Sequence, residues 1–322
     1  MTKYLFSASL QAILLALLLQ LVQAQEKLVL GYTNLQSAKI PVPLGKEAGL
    51  FAKHGLELEL IRVTPGHTAV PKLLSGEIQL FLGNGDPVVK AIVAEQARLS
   101  IIASLGEDGF NLVARSSIRT VGELRGKRVG VSNPGSSADR IARLALRKLG
   151  LDPERDVQMV ATGLNESRAR LELVLKGELD ATIVNTENVM ALGERKAAVV
   201  LLAELEELGI FVSGSDISVN RDFIQAKRPV VKRFLAALIE AIAKSKEDLD
   251  LSRRMYRRHA TTSDPHALEW RVREFLPKRL PAIPFPNRRA LEAYLAEAGE
   301  KDPAKIESVA DFSLLKEITG DR

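Results

Sequence analysis

Apolar and polar residues along this chain follow two alternating rhythms. Residues 56–63, with Leu56, Leu58 and Leu60 separated by Glu57 and Glu59, have the period of two that marks a strand with one polar face. Short apolar runs at 28–30, 78–82 and 99–103 read as buried strands. Between them, Leu44, Ala48 and Phe51 recur at helical spacing over 43–52. Residues 69–74 predict a short helix stopped by Ser75-Gly76. Residues 88–94 predict another, with Pro87 suited to the first helical position. A strand–helix alternation of this kind predicts a mainly parallel sheet covered by helices.

A second unit repeats the rhythm. A strand at 129–131 is followed by a helix at 138–149 ending at Gly150, a strand at 157–160, a helix at 165–176 ending at Gly177, and a strand at 180–184. Leu74-Ser-Gly-Glu-Ile-Gln-Leu80 and Leu175-Lys-Gly-Glu-Leu-Asp-Ala181 each join a helix to a strand through Gly-Glu, so the halves read as related α/β lobes. Further on, Phe234, Leu235, Leu238 and Ile242 share one face of a helix over 231–242, and 290–295 and 312–318 predict closing helices.

The first 24 residues stand apart. Lys3 gives a positive start, 10–22 is mostly apolar, and Val22-Gln23-Ala24 is a small-x-small cleavage pattern, so export with a cut after Ala24 is expected. Ser7, Ser9, Gln11 and Gln20 interrupt the run, which is shorter than the roughly 18 to 20 apolar residues of a membrane span. The absence of cysteine excludes a lipoprotein anchor, disulfides and thiolate chemistry. An exported, unanchored chain of this kind fits a periplasmic space. The net charge of +5 is mild for 322 residues, and Arg253-Arg254 and Arg257-Arg258 read as a solvated helix face, not a nucleic-acid site.

The strand at Lys27-Leu-Val-Leu-Gly-Tyr32 and the run Pro41-Val-Pro-Leu-Gly-Lys-Glu-Ala-Gly-Leu-Phe-Ala-Lys-His-Gly-Leu-Glu-Leu-Glu-Leu60 resemble the opening of ABC-transporter substrate-binding proteins of the nitrate/sulfonate/taurine type, the SsuA/TauA-like and thiamine-pyrimidine-synthase-like family. Residues 118–130 and Lys176-Gly-Glu-Leu-Asp-Ala181 match further runs of that family, and the likeness extends over nearly all of 27–318. It implies a type II periplasmic binding fold: two α/β lobes, each a mostly parallel sheet flanked by helices, joined by two hinge strands. The expected division is a signal peptide at 1–24, lobe I at 25–110, lobe II at 111–215, and a return to lobe I at 216–322. The segments 111–115 and 216–220 are the expected connections. Two departures stand out: Pro41-Val-Pro-Leu-Gly replaces a common Pro-Leu-Tyr-x-Ala run, and Gln79 stands where an acid is frequent. Ligand specificity is therefore not carried over from nitrate or taurine binders.

In open α/β sheets, ligands bind beyond the carboxyl ends of strands. Five such loops can be named, and the resemblance places a ligand among them. They supply Asn34, Gln36 and Ser37; Gly66, His67 and Thr68; Asn84, Gly85 and Asp86; Asn133, Gly135, Ser136 and Ser137; and Asn185, Thr186 and Glu187. The fourth is the strongest, because Gly135 frees the backbone while two serines offer hydroxyls and amides at a helix start, which suits an oxyanion. A plain serine cap is the alternative there. Thr68 and Asp86 are candidate caps, and His67 reads as solvated. Glu187 facing Asp86 would instead favour a cation, a zwitterion or a neutral polar molecule. Gly163–Glu166 is a weaker sixth loop, in which Asn165 is a candidate cap.

No Gly-x-Ser-x-Gly elbow, phosphate loop or paired histidines occur, and Glu204, Glu206 and Glu207 read as a solvated helix face. The related thiamine-pyrimidine synthase depends on cysteines that this chain lacks. Trp270 reads as packing. The expectation is a monomeric solute-binding protein without cofactor or metal, not an enzyme and not a nucleic-acid binder, that delivers a small polar or anionic ligand to an ABC permease. A periplasmic sensor or a secreted enzyme on the same scaffold is the alternative.

Overall fold

Period-two and apolar runs become strands where predicted, and they sort into two sheets. The structure, a computed structural model, describes residues 25–320 apart from 34, 36, 65, 107, 108, 212, 213 and 260–263. The leader expected at 1–24 lies outside the described residues. The first sheet has the order β2-β1-β3-β10-β4. Its members are β1 (Glu26–Tyr32), β2 (Leu56–Arg62), β3 (Leu80–Gly83), β4 (Leu99–Ser104) and, far later, β10 (Asp216–Asn220). The second has the order β7-β6-β8-β5-β9. It contains β5 (Phe110–Arg115), β6 (Arg128–Val131), β7 (Gln158–Ala161), β8 (Ala181–Asn185) and β9 (Val199–Glu204).

Each sheet carries one reversed strand. β5 runs antiparallel to β8 and β9, and β10 runs antiparallel to β3 and β4. The reversal follows from the path of the chain. β4 leaves the first sheet at its carboxyl end, and the chain enters the second sheet from the edge that faces it, so β5 must run against its neighbours. The return from β9 reverses β10 for the same reason. Both strands, expected as connections, are embedded inside their sheets. The crossings are the stretches just before them, tied together where Leu105 N–H donates to Ser215 O at 3.0 Å.

Helices cover the sheets: α1 (Pro41–Glu47), α2 (Leu50–Lys53), α3 (Ala69–Ser75), α4 (Asp86–Glu95), α5 (Ser137–Lys148), α6 (Ser167–Leu175), α7 (Thr186–Met190), α8 (Arg221–Glu247), α9 (Leu249–His259), α10 (Pro265–Trp270), α11 (Leu276–Lys278), α12 (Arg288–Glu297), α13 (Ile306–Val309) and α14 (Ser313–Thr319). The helix predicted over 43–52 is split into α1 and α2 because Gly49 takes the left-handed conformation at φ 71°. α8 extends well beyond 231–242, and bends at Lys227 ahead of Pro229, whose ring cannot follow a straight helix. Its predicted face is buried: Phe234, Leu235, Leu238 and Ile242 join β1, β2 and the C-terminal helices in one core. Glu206 and Glu207 lie in a turn after β9, exposed, so the helix face expected there is absent. Trp270 packs partly buried, 5.7 Å from the Phe275 ring.

The two Gly-Glu steps do the same job in each half. Gly76 and Gly177, at φ 77° and 76°, turn the chain out of α3 and α6. In the second half, Asp180 then accepts from Arg128 N at 2.9 Å and Nε at 3.0 Å, and Arg115 Nε lies 3.1 Å away, so one carboxylate pins β5, β6 and β8 together. In the first half, neutral Gln79 takes that place: its Oε1 accepts from Val29 N at 2.9 Å and its Nε2 donates to Gly76 O at 2.8 Å. Burial pushes the Asp180 carboxyl up, but the Arg128 hydrogen bonds and the Arg115 charge outweigh it and hold it below the usual range.

Two outcomes are expected. A Cβ on Gly45 would sit 2.6 Å from Ala241 Cβ, where α1 rests on α8; Gly45→Ala should cost about 1–3 kcal/mol, read as a lower thermal midpoint. Asp180, with its depressed folded value, contributes stability in full above its unfolded pKa, about 3.9, and loses it as pH falls through the lower folded value. The gap in midpoint between the parent chain and Asp180→Asn should therefore narrow under acid.

Candidate functional site

Strand order sets where the candidate site lies. From β1 the chain goes to β2 on one side and β3 on the other, and from β6 to β7 and β8 in the same way. A crevice opens beyond the carboxyl ends wherever the order diverges like this. The loops after β1 and β3 therefore face those after β6 and β8 across an inter-lobe cleft. The loops after β2 and β7 stand one strand further out.

In the loop after β1, Asn34 and Gln36 lie outside the described residues, and Ser37 opens a short 3-10 turn over Ser37–Lys39. Behind it Lys39 is buried, its Nζ 3.4 Å from Thr33 Oγ1. In the loop after β2, a Cβ on Gly66 would come 3.1 Å from the Thr33 methyl, so glycine lets two loops approach. His67 is exposed, as expected, and Thr68 holds the cap position of α3 without a side-chain capping bond.

After β3, Gly85 N–H donates to Asp216 Oδ2 at 3.1 Å, and a Cβ there would meet that oxygen at 2.7 Å. Asp216 is fully buried at the start of β10 and also accepts from Ser104 Oγ and from Tyr294 Oη, the latter at 3.3 Å. Asn84 Oδ1 accepts from Asp86 N at 3.1 Å. Asp86 is not the cap of α4 but its first residue. It is 4% exposed and pairs with Arg140 and with Lys90, the latter at 3.2 Å.

After β6, the serine cap is what forms. Ser136 Oγ accepts from Asp139 N at 3.2 Å and from Ser132 Oγ at 2.8 Å, and Asp139 Oδ2 accepts from Gly135 N at 2.8 Å. Asn133 and Gly135 are exposed. Ser137 Oγ faces the other lobe, 3.5 Å from Asn84 Nδ2. In the outer loop after β7, Glu166 holds the cap position of α6, and Asn165 instead gives its carbonyl to Arg170 Nη1 at 3.1 Å. Arg170 also donates to Leu164 O at 2.7 Å, and burial draws its guanidinium down to about 10.

After β8, Asn185 Oδ1 accepts from Ser167 Oγ at 2.6 Å, and Thr186 Oγ1 accepts from Asn111 Nδ2 at 2.9 Å. Glu187, 2% exposed, pairs with Arg271, which is fully buried and lies 4.9 Å from the Tyr256 ring. The two acids expected to face each other are thus each matched by an arginine from the opposite lobe. Arg140 reaches from lobe II to Asp86 and to Glu297 at 3.1 Å; Arg271, in a π-helical turn over Arg271–Phe275, reaches from the C-terminal helices to Glu187. A cavity of about 570 Å3 opens beside the first crossing, walled by Ser104, Gly106, Glu206, Arg279, Phe285 and Asn287, and includes none of the candidate ligand-binding residues named from sequence.

Two sheets with facing carboxyl edges, joined by two chain crossings and closed over a polar cleft, define the two-lobed class of periplasmic binding proteins. Solved structures share it. The alkanesulfonate-binding protein SsuA from Xanthomonas axonopodis pv. citri, bound to MOPS, is 24% identical, with 85% of this chain and 91% of that one covered and a TM-score of 0.64. The periplasmic aliphatic sulphonate binding protein SsuA from Escherichia coli is 21% identical over 88% and 92%, at 0.68. The desulfurization enzyme DSZB is 18% identical over 91% and 99%, at 0.65. No curated protein sequence matches the chain. The chain belongs to the NMT1/THI5 like family, whose model matches residues 36–248.

The cross-cleft arginines escaped the sequence reading because it looked only at loops. Arg140 lies one turn inside α5. Arg271 had a readable signal: it shares a helical face with Leu268 and Phe275, a cation among core positions.

Removing one partner of a buried pair strands the other. Arg271→Met should therefore cost about 3–5 kcal/mol of unfolding free energy, and adding Glu187→Leu should recover most of it. Equal losses in the single and double variants would contradict the pairing.

Proposed function

We propose that this protein is the exported solute-binding component of an ABC importer, which captures a small polar or anionic molecule between its lobes and delivers it to a membrane permease. The observation that carries the reading is the pair of switch points facing each other across one cleft, each ending in polar side chains. Family membership and the fold shared with sulfonate-binding periplasmic proteins support it. On this reading residues 1–24 are a removed signal peptide, 25–110 and 216–322 build lobe I, 111–215 build lobe II, and the protein works as a periplasmic monomer. No described helix is long and apolar enough to cross a membrane.

A ligand that touches both lobes contacts them together only when they are closed, so binding shifts the population toward the closed form, the surface a permease reads. Ligand contact is assigned to Ser37, Asn84, Ser137, Asn185 and Thr186 at the switch points, with Asn34 and Gln36 in the first loop, and to the outer residues Gly66, His67 and Thr68 at the rim. An enzyme shares the fold. Here the chain has no cysteine for a thiol nucleophile, and Ser136 and Glu187 are committed to a helix cap and a buried ion pair. These features favour a binder.

Thermal shift tests the reading, with sulfonates, nitrate, bicarbonate, amino acids, polyamines and pyrimidines as candidate ligands. A true ligand at a hundred times its Kd should add about 2.7 kcal/mol of stability. Asn84→Ala in lobe I and Ser137→Ala in lobe II should each shrink the shift. A shift untouched by either substitution, or turnover of the bound compound, would contradict it.

A further inference from the structure

Arg140 stands one turn inside α5, yet its side chain folds back over the start of its own helix. Nη1 donates to Gly135 O at 3.0 Å, and Nη2 lies 3.4 Å from Ser137 Oγ. The same Nη2 donates to the Asp86 carboxylate from the opposite switch point, while Nε donates to Glu297 at 3.1 Å. Ser137 Oγ also accepts from Asn84 Nδ2 at 3.5 Å, which leaves its own proton to give. A guanidinium, a hydroxyl and a side-chain amide thus converge at the positive end of a twelve-residue helix. What fills this donor-rich corner is a carboxylate of the protein itself.

Asp86 has a second cation on its own helix and so does not depend on Arg140 alone. Its Oδ1 is buried and makes no hydrogen bond, having only the Lys90 ammonium at 3.2 Å. Released from Arg140, it keeps Lys90 and its place in the first turn of α4, where the helix dipole favours an acid. Arg140 would keep only the partly exposed Glu297 and would call for a replacement anion. Exchange of Asp86 for an external acid group therefore strands no buried charge.

We propose that Arg140 selects the acidic group of the ligand, and that Asp86 stands in for that group until the ligand arrives. This rests on the solute-binding reading above and narrows it to small organic acids with a singly charged sulfonate or carboxylate head. The oxygens of that head take the Arg140 Nη2, Ser137 Oγ and Asn84 Nδ2 donors. The apparent affinity is lowered by the fraction of molecules in which Asp86 holds the corner.

Calorimetric titration of the purified chain with butanesulfonate and butyrate, and with butyramide as the uncharged control, tests it. Asp86→Asn keeps the shape and removes the competing charge, so it should bind both acids about tenfold tighter. Arg140→Gln should lose them, alone or combined with Asp86→Asn. If Asp86→Asn does not fold, Asp86→Ser serves and should also tighten binding. Acid binding that is unchanged or weaker without the Asp86 charge overturns the proposal, as does binding that survives Arg140→Gln. If neutral or cationic solutes bind and neither acid does, the inference falls while the solute-binding reading stands. If no solute of any charge binds, both fall.

Discussion

The chain crosses between its two sheets twice, and both crossings run between carboxyl edges. That single constraint fixes most of the architecture. It forces one reversed strand into each sheet, β5 in the second and β10 in the first. It sets the divergence of strand order at β1 and β3 opposite the divergence at β6 and β8. The candidate ligand loops are thereby the loops that face one another, and the starts of α4, α5 and α7 lie along one cleft.

Charge pairing gives this cleft its register. Each lobe brings an acid and a base: Asp86 and Arg271 on one side, Arg140 and Glu187 on the other. Such pairs add little net stability, because desolvation offsets much of the attraction, but a misaligned closure would leave the buried Glu187 and Arg271 without each other. Only one alignment of the lobes satisfies both. Asp216 holds the frame steady beneath, since its buried carboxylate gathers Gly85, Ser104 and Tyr294 from three separate elements.

Much of this was legible in the sequence. Periodicity found the parallel strands β1–β4 and β6–β8 and most helices, because amphipathic spacing is a local property; β9 was missed, its last residue Glu204 having read as part of a helix face. The Gly-Glu steps were legible as a sign of two related lobes, and the structure gives them their reason in two left-handed glycines followed by a strand-pinning side chain. The reversed strands were not legible, because β5 and β10 have the same apolar texture as their parallel neighbours and direction is not encoded in burial. The break at Gly49 was missed because the apolar spacing runs on through it. The five candidate loops were found from position alone, but the state of their charges was not. The arginine partners of Asp86 and Glu187 were not foreseen because they lie 54 and 84 positions away.

The central claim is that one ligand bridges two facing switch points. Hydrogen–deuterium exchange of the chain, with and without a saturating ligand, tests it most directly. The account predicts added protection in the first turns of α4 and α5 together, and at the start of α7, because closure buries all three. Protection confined to one lobe, or centred on the cavity beside the first crossing, would contradict it.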